Sequence, residues 1–351
     1  MSRLDLAAGP TAGGAVCAQR SCSIRHPPGK TARTAHSVCW QCKGRESKLK
    51  APGRTSKIRK ASVFVGDSAM PPTLPLSYLL QRNFADADDL AAEARQWDLD
   101  FRQLECGRFH GDLLQFGSGG VQIGDARFCR ALKQQGMPPP GMRTIAIPVH
   151  GRMRLVWRGR VIDGESVMVF PRDSELSSVS DASFHVYTCS FPEELLATFS
   201  ETLGLGDVDD LLAGRETVRC GLPDITRVRR CLQQLCQSAR SDSANVTGRS
   251  FAEQLTKDLP ARLLTAIARG RGDCSPVAGP NRMAAVDRAE RFIERFARDN
   301  VKVRDVCQAV GVSERSLEYA FVERFGVGPK DYLSTFRLHA VRRRLRAADP
   351  K

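Results

Sequence analysis

A helix, a glycine turn and a second helix near the C-terminus constrain the fold of this chain more than any other feature. Val303, Val306 and Val310 recur at helical spacing, and Gly311 follows where a left-handed turn is needed. Ser313 offers a side-chain cap for the second helix. The apolar residues of that helix are Leu317, Ala320, Phe321 and Phe325. Two short helices joined by such a turn form a helix-turn-helix, which places its second helix in the major groove of DNA.

A longer series of apolar, aromatic and glycine residues surrounds this motif between residues 287 and 350. The series consists of Val303, Val306, Cys307, Gly311–Ser313, Leu317, Ala320–Phe321, Phe325–Gly326, Pro329, Tyr332–Leu333 and Arg337–Leu338. In order and spacing it resembles the N-terminal part of the DNA-binding domain of the AraC family of bacterial transcription regulators. The strings RSLEYAF and RLHAVRRRL are most similar to the branch that includes the ethanolamine-utilisation regulator. The alternative is a pair of ordinary core helices.

The resemblance implies which side chains of the second helix read DNA bases. Arg315, Glu318 and Tyr319 fall where the family places its base-reading side chains. Arg315 is suited to a bidentate contact with guanine, and Glu318 can accept from the amino group of cytosine. Tyr319 can pack on a sugar or on the methyl group of thymine. Glu318 is the least secure of the three, because a carboxylate in the groove repels phosphate.

Basic side chains on and after the second helix are predicted to contact DNA phosphates. They are Arg324, Lys330, Arg337, Arg342, Arg343 and Arg344. For the run of residues 342–344 the alternative is a solvated helix face.

The position of the last residue leads to a further expectation. Members of the family carry two helix-turn-helix units joined by a long helix, whereas this sequence ends at Lys351, just past the joining helix. We therefore expect only the first unit, with Phe336, Val341 and Leu345 left uncovered and DNA binding impaired. The alternative is a remnant that does not bind DNA and acts by dimerising with longer relatives.

Short alternating apolar and polar runs characterise the sequence between residues 101 and 191. Groups of Gly, Pro and Asp separate these runs at regular intervals, which is typical of an antiparallel sandwich or barrel. Together with the resemblance, this pattern predicts a cupin-like sensor over residues 70–190 for a small-molecule effector of unknown identity. The predicted fold class is α+β: an N-terminal cupin-like antiparallel jelly roll plus a helical segment, then an all-α helix-turn-helix domain.

Histidines and aromatic residues of the sandwich raise the alternative of a cupin-fold enzyme. His110, His150 and His185 do not form the usual cupin metal motif, a His-x-His pair followed by an acidic ligand. We therefore predict satisfied or solvated histidines, with no metal, cofactor or catalytic residue. Three aromatic residues either line an effector pocket or fill the interior: Trp157, Phe170 and Tyr187.

Helical patterns follow the sandwich. Residues 191–269 carry apolar positions three and four apart, with a kink expected at Pro260. These helices serve either as a dimerisation segment, as the resemblance implies, or as an ordinary intrachain face. Residues 270–282 lack a period and are predicted to be a linker, and residues 283–351 form the partial helix-turn-helix domain. We expect a homodimer.

The first 69 residues differ in composition from the rest of the chain. They hold 13 Lys and Arg against 3 Asp and Glu, and no sustained apolar period. Such a segment is predicted to be disordered, and an over-extended reading frame that should begin at Met70 is the favoured explanation. A zinc site at Cys17, Cys22, Cys39 and Cys42 is the alternative, although only one half of it has knuckle-like spacing.

Charge and targeting signals complete the prediction. The net charge is +14, and residues 283–351 hold 15 Lys and Arg against 10 Asp and Glu, which suits a phosphate-binding module. No signal peptide is evident, and no apolar run reaches the roughly 18 residues that a membrane span needs. The sequence therefore predicts a cytoplasmic transcription regulator that binds double-stranded DNA, contacts no membrane and is not an enzyme.

Overall fold

The computed structural model describes residues 77–151, 153–172, 175–272, 274–297 and 299–348. All of them belong to one compact unit, Asp67–Lys351. The tail and the zinc site predicted within residues 1–69 lie outside the described residues.

Two antiparallel sheets form the core of this unit. From edge to edge, the larger sheet contains β1 (Ser77–Phe84), β3 (Gly111–Ser118), β4 (Val121–Phe128), β11 (Phe184–Pro192), β6 (Met142–Pro148), β9 (Ser166–Val169) and β12 (Thr217–Arg219). The smaller sheet contains β2 (Asp98–Gln103), β5 (Leu132–Met137), β10 (Leu176–Ser180), β7 (Leu155–Trp157) and β8 (Arg160–Ile162). Cys189 on β11 lies opposite Ile123 on one side and Ile145 on the other, which fixes the register at the centre of the larger sheet.

Both faces of each sheet are buried. On β6, Ile145 and Ile147 belong to the core under the helices, whereas Ala146 belongs to the core between the two sheets. The same alternation occurs on β7, where Leu155 and Trp157 point into the sandwich and Val156 points away from it. Successive side chains of a strand point to opposite faces, so one strand supplies two cores.

Ten α-helices surround the sandwich in the part of the chain that the structure describes. They are α1 (Ala87–Glu93), α2 (Glu193–Thr202), α3 (Val208–Leu212), α4 (Leu222–Ser241), α5 (Arg249–Glu253), α6 (Leu259–Arg269), α7 (Pro280–Phe296), α8 (Val303–Val310), α9 (Glu314–Phe325) and α10 (Pro329–Ala348). None of these helices is long and apolar enough to cross a lipid bilayer.

The helices from α2 to α6 cover the outer face of the larger sheet. Leu232 of α4 and Leu263 and Ile267 of α6 are fully buried in this core. A π-helical turn at Gln254–Asp258 leads directly into α6. Pro260 follows this turn directly within a continuous helical stretch, and the widened turn, where a kink was expected, accommodates the missing N–H of the proline.

The C-terminal helices α7 to α10 cover the outer face of the smaller sheet. Leu104, Val156 and Val179 from the sandwich share one core with Ile293 of α7 and Phe321 of α9. The molecule is thus layered as helices, larger sheet, smaller sheet and helix-turn-helix. This arrangement confirms the predicted α+β fold class.

Two segment boundaries differ from the prediction. The segment expected to be helical supplies a strand, β12, which pairs with β9 at the edge of the larger sheet. The predicted linker is packed rather than free, because Arg271 bridges to Arg219 and Pro276 bridges to Arg160. α7 also begins at Pro280, so the last three residues of the predicted linker are helical. Glycine and proline mark irregular backbone, but they do not show whether that backbone is covered.

Candidate nucleic-acid interface and effector cavity

A well-capped helix-turn-helix is formed by α8 and α9. Gly311 ends α8 in the left-handed conformation with φ of 71°. The Ser313 hydroxyl caps α9 by accepting from the backbone N–H of Ser316 at 3.2 Å. Gly326 ends α9, again in the left-handed conformation. The buried side of α9 includes Leu317 and Phe321, as the sequence pattern predicts.

The base-reading side chains predicted from the sequence share one solvent-facing surface. Arg315, Glu318 and Tyr319 are all exposed, and Tyr319 retains 57% of its accessible surface. The guanidinium of Arg315 lies 5.7 Å from the centre of the Tyr319 ring, so these two side chains are neighbours. The surface at the N-terminal end of α9 is therefore open to a ligand.

Two of the six predicted phosphate contacts are free in this conformation. Lys330 at the start of α10 and Arg344 near its end are exposed. Among the described residues, neither side chain has an ion-pair partner. Both therefore keep the charge and access that a phosphate contact requires.

Arg324 and Arg337 are placed differently from the prediction. Arg324 is only 7% exposed, and its Nε and Nη1 atoms have no hydrogen-bond partner among the described residues. It lies against Gly159 of the sandwich, where a larger residue would collide with it. Arg337 donates from Nε to the carbonyl of Ala297 at 3.0 Å and from Nη2 to that of Val301 at 2.5 Å. Burial and backbone bonding therefore remove both arginines from phosphate in this conformation.

Arg342 and Arg343 are paired with carboxylates of the sandwich instead of being free. Arg342 is bonded to Asp86, and Arg343 is bonded to Asp100 on β2. Arg346, which the sequence analysis did not single out, lies 2.5 Å from Asp89. It follows Arg342 by one helical turn, and that spacing could have identified it.

These carboxylates form an acidic row, defined here as Asp86, Asp88, Asp89 and Asp100. The row runs from the cap of α1 to β2 and faces the C-terminal half of α10. Burial raises the pKa of Asp100, but the imidazole of His339, 3.7 Å away, and the charge of Arg343 outweigh burial and lower it. The carboxylate of Asp100 is therefore held ionised beside α10.

A buried ionic cluster joins the sandwich to α7 and α10. Lys133 on β5 is 3% exposed and contacts Glu290, with Glu294 at 3.3 Å. The Tyr332 hydroxyl donates to Glu290 at 2.6 Å and accepts from Arg102 at 3.1 Å. Burial raises the pKa of Glu290, but the charge and hydrogen bond of Lys133 outweigh it and lower that pKa.

A cavity of about 80 Å³ lies between the two sheets. Its walls include Trp157 and Phe170, and its polar lining is limited to Gln115, Gln134, Ser178 and Thr188. None of the described residues that line it is charged. Tyr187 points to the opposite face and packs under the helices, so of the three aromatic residues only two border this space.

The three histidines do not converge on a metal site. His185 lies 2.8 Å from the buried carboxylate of Asp125, which also accepts from Arg240 at 2.6 Å. His110 lies near Asp112 at 3.8 Å, and Nδ1 of His150 is buried with no hydrogen-bond partner in the described part of the chain. Within the described residues, no group of three or more His, Cys, Asp or Glu side chains is arranged to hold a metal ion.

Comparisons with known proteins give weak similarities. No protein-family model matches the chain. The AraC-like transcriptional activator CuxR has a TM-score of 0.41 and 13% identity, over 75% of this chain and 95% of that protein. ToxT from Vibrio cholerae with an unsaturated fatty acid bound has a TM-score of 0.26 and 13% identity, over 66% and 82% of the two chains. Another ToxT structure has a TM-score of 0.23 and 8% identity, over 74% and 99%. At these values the similarity carries no argument about function.

Proposed function

We propose that this protein is a cytoplasmic, effector-responsive transcription regulator of the AraC type that binds double-stranded DNA. The observation that carries the proposal is the open face of α9, where Arg315, Glu318 and Tyr319 stand beside the Ser313 cap on a helix-turn-helix. A helix in this setting presents its N-terminal side chains to base edges in the major groove.

The roles within this surface follow from side-chain chemistry. Arg315 would contact guanine, Glu318 would accept from cytosine, and Tyr319 would pack on thymine or a sugar. Lys330 and Arg344 would contact phosphates directly, since both are exposed and unpaired among the described residues. We propose phosphate contacts for the other four arginines only in a conformation that releases them from their present contacts. These are Arg324, Arg337, Arg342 and Arg343.

The cavity between the sheets is the proposed effector site. Its lining is apolar and aromatic, with amide and hydroxyl groups at a few positions. Binding an ion there would require desolvation without a compensating charge, which is costly. We therefore propose a small, uncharged and largely apolar effector, oriented by Gln115 or Gln134.

Homodimerisation is the remaining part of the proposal. The apolar sides of α4 and α6 are used within the chain, so a dimer would form through their solvent-facing sides. Val341 and Leu345 are exposed on α10, as expected, and so is Leu338. Phe336, which was also expected to be uncovered, instead packs against the helix-turn-helix core and lies under Arg102.

The proposal is tested by selecting preferred duplexes from a random library with the full chain, then comparing variants on the selected and random duplexes. Arg315→Ala should weaken binding to the selected site by about 1–3 kcal/mol and relax the preference at one base pair. Arg344→Ala should weaken both duplexes alike and lower the dependence on salt. Arg249→Ala removes an equally exposed charge far from α9 and should change neither. Equal losses on both duplexes for Arg315→Ala would show that α9 does not read bases.

A further inference from the structure

We propose that the acidic row of the sandwich competes with DNA phosphate for the arginines of α10. While the row holds these arginines, DNA binding by α10 is inhibited. This inference rests on the proposed function, because it assigns α10 to phosphate binding. It adds an internal partner for that surface, formed by α1 and β2 of the same chain.

The pairing uses the same chemistry as DNA binding. Arg342 contacts Asp86, Arg343 contacts Asp100, and Arg346 lies 2.5 Å from Asp89 and 3.4 Å from Asp88. A guanidinium presents its N–H groups to a carboxylate in the geometry it uses for a phosphate. A guanidinium held by the row cannot make the same bonds to a nucleic acid.

The contact between α10 and the acidic row consists of several ion pairs, each of which contributes little by itself. Such a contact can restrain the helix and still be released. The side chains of Arg342, Arg343 and Arg346, which pair with the row, retain 40% to 48% of their accessible surface. Solvent screens such pairs, so each one is individually labile. Beyond Phe336, α10 contributes no residue to the buried core shared with the sandwich. Ion pairs are therefore the main restraint on the C-terminal half of this helix.

The position of α1 makes the restraint sensitive to the cavity. Leu90 and Ala94 at the inner side of α1 line the cavity, as does Trp97 just after it. Asp86, Asp88 and Asp89 stand at the start of the same seven-residue helix and face α10. A ligand that displaces the inner side of α1 must also move these three carboxylates. Cavity occupancy and the ion pairs between the row and α10 are therefore mechanically linked.

The test compares the full native chain with two variants of equal charge. The first, D86N/D88N/D89N/D100N, removes the row but keeps the α1 cap, because asparagine caps helices as well as aspartate does. The control, E175Q/E194Q/E201Q/D210N, removes four carboxylates that have no ion-pair partner among the described residues. Binding to a fluorescent random-sequence duplex is measured by anisotropy over a range of salt concentrations, and amide exchange is measured along residues 338–348.

The row variant should bind the duplex about tenfold more tightly at low salt than the native chain does, with a salt slope steeper by about 0.9 for each phosphate gained. Its α10 amides should exchange faster, whereas the control should match the native chain in exchange and gain much less affinity. Native-like binding and exchange in the row variant would overturn the inference and leave the proposed function standing. An equal gain in the control would also overturn it, because general charge would then explain the effect. Faster exchange of α10 without any DNA binding would overturn the proposed function, and the competition with it.

Discussion

The two outer faces of the sandwich are covered in contrasting ways. The larger sheet meets α4 and α6 through a continuous apolar core in which Leu232 and Leu263 are fully buried. The smaller sheet meets α7 to α10 through a few apolar residues and an ionic cluster around Lys133. Apolar burial depends little on pH or moderate salt, whereas half-exposed ion pairs, such as those between α10 and the acidic row, respond to salt and to competing ions. The interface with α4 and α6 should therefore persist as salt and pH change. In the interface with α10, exposed ion pairs can be exchanged for other partners.

The largest effect should come from breaking the ionic cluster. Lys133→Met leaves Glu290 buried without its cation, and an unpaired buried charge costs about 4 kcal/mol. Urea denaturation of the native chain and the variant measures this loss. Adding Glu290→Gln should recover much of it, because the uncompensated charge is removed. Lys257→Met, at an exposed i,i+4 pair, is the matched control and should change stability little. A cost for Lys133→Met as small as the control's would remove the contrast between the two faces.

A somewhat smaller loss is expected on the apolar side. Leu232→Ala removes a fully buried side chain of α4 and should cost about 3 kcal/mol of unfolding free energy through lost burial and the resulting cavity. Leu222→Ala at the start of the same helix is the control, since Leu222 is 57% exposed. The cost of Leu232→Ala should hardly vary with salt, whereas the small cost of Arg343→Ala, which removes a half-exposed ion pair, should shrink as salt rises. Similar salt dependence for both substitutions would contradict the comparison.

The smallest effect concerns Asp125, which among the described residues is the one carboxylate buried on the apolar side. Burial raises its pKa, but hydrogen bonds with His185 and Arg240 outweigh burial and lower it below the ordinary value. A carboxyl whose pKa is lowered on folding adds stability above its unfolded pKa and loses it as the pH falls through the folded value. Asp125→Asn should therefore flatten the acid limb of the stability profile below about pH 4, with the difference from the native chain vanishing at the acid end. A native and a variant profile that stay parallel in acid would exclude this role.

Local patterns in the sequence were sufficient to predict the helix-turn-helix and several strands. Gly311 and Ser313 act within one turn of chain, and the alternation along β4 repeats every two residues, so neither depends on distant partners. β5 was missed because its Lys133 and Gln134 suggest an exposed strand. Lys133 is buried because α7, more than 150 residues later, covers it, and Gln134 is buried because it points into the cavity between the sheets.

The partners of the α10 arginines could not be predicted for the same reason. A run of arginines after a helix-turn-helix predicts phosphate contacts, and nothing near that run indicates that carboxylates from residues 86–100 face it. Arg324 is a similar case, since its burial depends on the backbone at Gly159. The base-reading face stays a prediction, although the exposure of Arg315 and Tyr319 fits it.

The three residues of β7 set the distance between the cavity and the core of the helix-turn-helix. Leu155 and Trp157 border the cavity, and Val156 between them touches the core of the helix-turn-helix. The proposed effector and the DNA reader are therefore separated by the thickness of one β-strand. A small displacement of that strand would therefore move side chains in the cavity and in the helix-turn-helix core at the same time. A chain of relaying side chains, a hinge or a long lever is then unnecessary for coupling the two.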